Sequence, residues 1–183
     1  MIIYLIHDYV RHFCLKKWYY VNMGRITYKK GSLFTEPKGK YLAQATNCRG
    51  SFGSGIALKF KKLYPDATEL YRQHCVKVKD SALGTTFIAP SIHDDVKMVC
   101  LFTSRGYGKF VDSPPMIEKS TQRAIEDFLT QIDAKSGKPL EVHSNKFNSG
   151  LFRVPWTTTE AIIENFLTIY PNLQWIVWTW DGK

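Results

Sequence analysis

The period of the apolar positions changes repeatedly along the chain, and each change marks an element. Runs of strand character occur at Arg25 to Tyr28, Tyr41 to Thr46, Thr85 to Ala89, Lys97 to Phe102, Leu140 to His143 and Gln174 to Trp180. Met98 to Phe102 is continuously apolar, as in a strand covered on both faces. Between these runs the spacing becomes helical. Ile56, Ala57, Phe60, Leu63 and Tyr64 form one predicted buried face of a helix over Gly55 to Leu63. A second helix is predicted over Asp66 to Lys77, with Asp66 as N-cap and Glu69 three residues on. A third opens at Ser113-Pro114 with Ile117, Ala124, Ile125, Phe128 and Ile132 as its core stripe, and Gly137-Lys138-Pro139 closes that region. The last follows Pro155, with Thr157-x-x-Glu160 as a capping box and Ile162, Ile163, Phe166 and Leu167 facing inward. Strands interleaved with helices predict an α/β fold whose sheet is covered on both sides, with ligands at the strands' carboxyl ends.

Two loops at such ends carry glycine. The first lies in NCRGSFGSGIALKF, Asn47 to Phe60, where Gly50, Gly53 and Gly55 follow a strand and open a helix. Glycine admits positive φ and lets the backbone approach a ligand, while the helix start adds unpaired N–H groups and the positive dipole end. Turns of this kind also serve purely structural ends. The spacing is not the dinucleotide-binding fingerprint, and no Gly-Lys-Ser/Thr follows as in a P-loop. The second loop is NSGLFRVPW, Asn148 to Trp156. Together the amides of Gly53 to Ala57 and of Ser149 to Phe152 could grip a diphosphate from both sides, with Phe152 against a sugar or packed over its loop.

A chain of 183 residues, 44% hydrophobic and 14% aromatic, fits one folded domain. Its formal charge of +9 favours an anionic partner, and Arg49, Lys59, Lys61 and Lys62 surround the first loop, although lysines on one helix are commonly a solvated face. The four cysteines, Cys14, Cys48, Cys75 and Cys100, lack metal-site spacing, so no metal is expected and a reducing compartment is. Cys48 reads as a buried thiol in preference to a nucleophile. The opening residues are interrupted by His7, Asp8, Arg11 and His12, which excludes a bilayer span there, and a signal peptide is not expected because the apolar run ends after six residues with no small-residue cleavage site following. Residues 1–22 are expected to be an extension docked through its aromatics ahead of a domain at 23–183, with Met23 as an alternative start. His93-Asp94-Asp95 reads as a polar turn, and His74 and His143 as structural histidines. The loop Thr103 to Gly108 could close over a distal phosphate, with Arg105 as a clamp. Trp175, Trp178 and Trp180 read as core or ligand wall, so nucleic acid is not the expected partner.

With these pieces in order, the chain from Arg25 to Trp180 resembles a macrodomain, and specifically the fungal ADP-ribose 1″-phosphate phosphatases. The resemblance is carried by ITYKKGSLF, LAQATNCRGSFGSGIA, YP, LFTS and NSGLFRVPW. It implies a three-layer α/β/α fold with a mixed central sheet and an ADP-ribose cleft across the strand ends. By resemblance, Gly31, Ser32 and Leu33 would line the adenine end, and Ala45, Thr46 and Asn47 would approach the distal ribose. Phe52, Gly53, Ser54, Gly55, Ile56 and Ala57 would form the first phosphate loop. Phe147, Asn148, Ser149, Gly150, Leu151, Phe152 and Arg153 would form the second, with Phe152 on the distal ribose. Ser32 stands where many macrodomains have Asp, and Gln44 where the family has Asn or His. Gln44 supplies no acid or base at neutral pH, and no catalytic residue is identified. Arg49 and the loop amides could stabilise phosphoryl charge. The implied function is removal of the terminal phosphate from ADP-ribose 1″-phosphate, a product of tRNA splicing. The alternatives are an ADP-ribosyl-protein hydrolase and a non-catalytic ADP-ribose reader. No cofactor is implied, and the expected partner is a small nucleotide bound by a monomer in the cytoplasm or nucleus, not at a membrane.

Overall fold

The apolar run at Met98 to Phe102 becomes an inner strand because its alternate side chains serve two different cores. Met98, Cys100 and Phe102 pack with Leu42, Phe60, Tyr64, Ala67 and Tyr71, whereas Val99 and Leu101 pack with Ala124, Ile125, Phe128, Ile163 and Trp175. The computed structural model describes residues 25–35 and 38–180. The extension foreseen at 1–22 and the alternative start at Met23 lie outside the described residues.

In chain order the elements are β1 (Thr27–Lys30), β2 (Tyr41–Asn47), α1 (Gly55–Leu63), α2 (Pro65–Val78), β3 (Thr86–Pro90), β4 (Lys97–Ser104), α3 (Pro114–Gln131), β5 (Leu140–Ser144), α4 (Trp156–Ile169) and β6 (Leu173–Thr179), with short 3₁₀ turns between some of them. One mixed sheet has the order β1-β6-β5-β2-β4-β3. All neighbours are parallel except β3, which runs antiparallel to β4 at the edge. Helices α1 and α2 cover one face, and α3 and α4 the other, giving the expected three layers. The five parallel strands therefore end on one edge of the sheet, where Gly31, Asn47, Arg105, Asn145 and Trp180 follow or close them.

Several local expectations change. Leu63 is 40% exposed at the end of α1, so that helix buries mainly Phe60 and passes the contact on to Tyr64. Asp66 does not cap α2, which starts at Pro65 with Tyr64 as N-cap. Its carboxylate instead accepts hydrogen bonds from Ser91 Oγ and the Ile92 amide, both at 2.8 Å, and so ties α2 to the β3–β4 connection. Pro155 is the N-cap of α4, which places Thr157 inside the helix and frees Glu160 to accept the Tyr28 hydroxyl. The first strand is Thr27–Lys30 in place of Arg25 to Tyr28. His93-Asp94-Asp95 is a turn, with Asp94 and Asp95 at φ of 58° and 52°. Trp175 and Trp178 do not share a wall: Trp175 is buried among the α3–α4 core residues, and Trp178 packs on the opposite core.

Candidate functional site

The loop after β2 is stiffened by its own first residue. Asn47 Oδ1 accepts from the amides of Arg49 (2.9 Å) and Ser51 (3.3 Å), and its Nδ2 donates to the Ser51 carbonyl at 2.8 Å. Gly50, at φ +68°, lies so close to α2 that a Cβ would sit 3.3 Å from the Arg72 Cα. Phe52 stacks on Tyr71 at 4.3 Å, and Tyr71 donates to the Asn47 carbonyl at 2.6 Å. The loop thus arrives at α1 held by these contacts, with the amides of Gly55 to Ala57 left without an intrahelical partner at the helix start.

The loop after β5 is anchored through Asn148. Its Oδ1 accepts from Thr103 Oγ1 at 3.0 Å, and its Nδ2 donates to Thr121 Oγ1 at 2.8 Å and Thr159 Oγ1 at 3.3 Å. One buried side chain so joins β4, α3 and α4 to the loop, at a φ of +65° that asparagine tolerates. Ser149 Oγ donates to the Lys146 carbonyl, and the Arg153 amide closes a turn onto the Gly150 carbonyl at 3.0 Å.

Between the two loops lies a cleft of about 600 Å³. Its lining includes Ala45, Thr46 and Asn47 at the end of β2, Phe52 through Ala57, and Phe147, Asn148, Gly150, Leu151, Phe152 and Arg153. Ser149 is outside the lining. So are Gly31, Ser32 and Leu33, which follow β1 farther along the same sheet edge. Ser32 Oγ accepts the Phe34 amide at 3.2 Å, Leu33 is buried, and Gly31 (φ +124°) lies against the Trp178 ring. Asn47 and Asn148 reach the cleft with side chains already engaged in holding their loops.

Ser51, Asn145 and Lys146 join the lining, as do Tyr107 and Gly108 from the segment after β4. The candidate clamp Arg105 and the candidate charge stabiliser Arg49 do not. Arg105 binds Asp112 through both its amide (2.7 Å) and its guanidinium (2.8 Å), and Arg49 pairs with Asp80 at 2.9 Å. Gln44 is fully buried and outside the cleft, and its side-chain oxygen and nitrogen find no partner among the described residues. It therefore stands neither as a catalyst nor as a ligand contact.

The ionisable side chains of the lining are Tyr107, Lys146 and Arg153, with no carboxylate or histidine among them. His74 stacks on Phe87 at 4.3 Å. His143 is buried, its Nδ1 accepting the Trp178 indole N–H at 2.9 Å while Nε2 donates to Glu141 at 2.6 Å. Burial holds its pKa below the usual histidine value although Glu141 pulls the other way. The Cys48 thiol is pushed up to about 12, chiefly by burial and then by Asp80, which removes it as a nucleophile at neutral pH. No group of three His, Cys, Asp or Glu placed to hold a metal occurs among the described residues, and none of the helices among them is long and apolar enough to cross a membrane.

Residues 43–163 match the Macro domain family. The chain belongs to that family. Among curated relatives, this macrodomain is 36% identical over 179 residues to the ADP-ribose 1″-phosphate phosphatase of Aspergillus clavatus, covering 78% of this chain and 90% of the relative. It is 36% identical over 174 residues to the enzyme of the same name from Debaryomyces hansenii, covering 81% and 97%. Among solved structures, the macrodomain of Mycobacterium tuberculosis DarG superposes with a TM-score of 0.70 at 20% identity, covering 85% of this chain and 97% of that one. Thermosipho africanus DarTG, solved in complex with ADP-ribose, gives 0.65 at 15% identity, covering 86% and 43%. The loop Thr103 to Gly108 was legible as one near the distal phosphate, but the side chain it brings to the lining is Tyr107 and not Arg105, because Asp112, seven residues on, takes the guanidinium. For Lys146 a signal existed, a lysine two residues before the NSG motif.

Proposed function

We propose that this macrodomain hydrolyses ADP-ribose 1″-phosphate to ADP-ribose and inorganic phosphate. The observation that carries the reading is a carboxylate-free cleft between two glycine loops, in a chain that aligns with fungal phosphatases of that name over 90% or more of their length. In this reading the adenine lies toward Gly31, Ser32 and Leu33, beside Trp178. The diphosphate sits between Gly53 to Ala57 and Ser149 to Arg153, where backbone amides and the dipole of α1 favour negative charge. Lys146 and Arg153 add positive charge, and Phe152 with Ala45, Thr46 and Asn47 contacts the distal ribose.

The chemistry asks little of an acid or base. Phosphoryl transfer passes through a loose transition state, so catalysis is mostly positioning and charge stabilisation. Water bonds to phosphorus as the bond to the C1″ oxygen breaks, its proton passing by way of a phosphoryl oxygen to the departing C1″ oxygen, which leaves as a hemiacetal hydroxyl, a better leaving group than an ordinary alcohol. Amides and cations around the phosphoryl oxygens supply the electrostatic part. The reading carries with it a monomer acting in the cytoplasm or nucleus, with free Cys48, Cys75 and Cys100 compatible with a reducing compartment.

The test is phosphate release from ADP-ribose 1″-phosphate by the purified protein, beside calorimetry with ADP-ribose and release of ADP-ribose from a modified protein. Phosphate release with ADP-ribose binding is the expected result. Binding with no release of either product reduces the protein to a reader, and release of ADP-ribose alone makes it a protein de-modifying hydrolase.

A further inference from the structure

We propose, resting on the phosphatase reading, that Tyr107 is a specificity residue that donates a hydrogen bond to the terminal phosphate and so separates ADP-ribose 1″-phosphate from ADP-ribose. Strand order gives the direction. The turn at Gly31 lies at the β1 edge, the two glycine loops follow β2 and β5, and β4 flanks β2 on the side away from β5. A ligand with its base toward β1 and its diphosphate between the loops presents its far end to the segment after β4. Tyr107 and Gly108 bring that segment into the cleft.

The segment is tied down on either side of its tip. Arg105 is bound to Asp112 by two hydrogen bonds, and Ser104 Oγ donates to the Gly106 carbonyl while accepting the Asp112 amide, both at 3.0 Å. Gly106 is pressed onto Phe110 so closely that a Cβ there would drive into the Phe110 carbonyl oxygen and meet the Phe110 Cβ at 3.0 Å. Gly108, at φ +61°, turns the chain back. Tyr107 is presented between these fixed points.

Its environment is that of a contact group. Phe52 and Phe147, aromatics of the same cleft, are 4% and 2% exposed and serve as packing, whereas Tyr107 is 52% exposed and its hydroxyl makes no hydrogen bond among the described residues. A phenol donates to a phosphate oxygen without the repulsion a carboxylate would bring. Of the cations of the same segment, Arg105 is paired with Asp112 and Lys109 lies over the Phe110 ring at 5.1 Å, and neither is in the lining, which leaves Tyr107 as the donor side chain that this segment brings to it. A hydrogen bond made only to the terminal phosphate strengthens binding of the phosphorylated ligand and does nothing for ADP-ribose.

Tyr107→Phe keeps the ring and deletes the donor. The expected result is a loss on the order of tenfold in kcat/KM for phosphate release, carried mainly by KM, with ADP-ribose affinity by calorimetry unchanged within about twofold. Unchanged kinetics, or an equal loss for both ligands, overturns the assignment. Should the wild-type protein bind without releasing phosphate, the phosphatase reading falls, and the affinity ratio of the two ligands in wild type and Tyr107→Phe still decides the role of Tyr107. A ratio that collapses toward one in the variant supports it, and a ratio that does not move overturns it.

Discussion

Gly53 and Gly55 occupy the same loop but differ in what a side chain would cost. Gly55 has φ +57°, so valine there combines a strained backbone with a branched Cβ facing Leu151 at 4.0 Å. Gly55→Val is therefore expected to lower stability by about 1–3 kcal/mol in addition to weakening binding, and it tests the loop poorly. Gly53 has no such φ, and a Cβ there would meet nothing nearer than Ser51 Oγ at 3.8 Å. Gly53→Ala should leave the unfolding free energy measured in urea within about 0.5 kcal/mol of wild type, as at an open site. Because the loop works by close approach of its backbone, the same change should weaken ADP-ribose at least tenfold by calorimetry, on the order of 1.4 kcal/mol. Undiminished affinity would mean that the ligand does not lie against this part of the loop.

At the scale of elements, Asn148 decides whether the second loop has a shape at all. Its side chain satisfies three threonines on β4, α3 and α4, and these hydroxyls are buried. Asn148→Ala removes every one of those bonds and leaves a positive φ on alanine, which should cost about 2–4 kcal/mol in denaturant unfolding. Phosphate release should fall with it even where the protein remains folded, whereas a stable variant with full activity would show that the loop is held from elsewhere. Asn148 also shows what could be read from the chain. NSG was legible as a turn at a strand end, yet the role of the asparagine was not, because its partners lie 45, 27 and 11 residues away. Sheet and helices were legible because their apolar spacing is local. Caps were less so: Asp66 and Glu160 carry the right chemistry for helix starts but find better acceptor roles toward Ser91 and Tyr28. Arg105, read as a clamp, and Arg49, read as stabilising phosphoryl charge, pair instead with Asp112 and Asp80 outside the lining, for the related reason that a cation near a phosphate loop is also near the carboxylates that fold it.

For the molecule as a whole, the buried His143 ties β5 to β6 through Trp178 and contributes to how stability responds to acid. Trp178 on β6 can only donate through its indole nitrogen, so His143 Nδ1 must be unprotonated and the ring neutral, with its one proton directed at Glu141. Glu141 also holds Lys40, just before β2, and Lys40 and Lys29 add a repulsion that disfavours a second proton on the ring. Burial is the largest cause of the lowered pKa, and Glu141 opposes it without reversing it. In the unfolded chain the same imidazole titrates near 6.5. Below that value the unfolded state takes up a proton that the folded state refuses, so stability rises with pH across this window. The contribution is fully present above about 6.5 and is lost as pH falls from there through the lower folded-state value. His143→Gln retains an acceptor for Trp178 and removes the titration. Melting temperatures measured from pH 8 to 5 should then fall more steeply below pH 6.5 in wild type than in the variant, although the variant starts lower. Parallel curves would show that His143 takes its proton as readily folded as unfolded, which the hydrogen bond from Trp178 forbids.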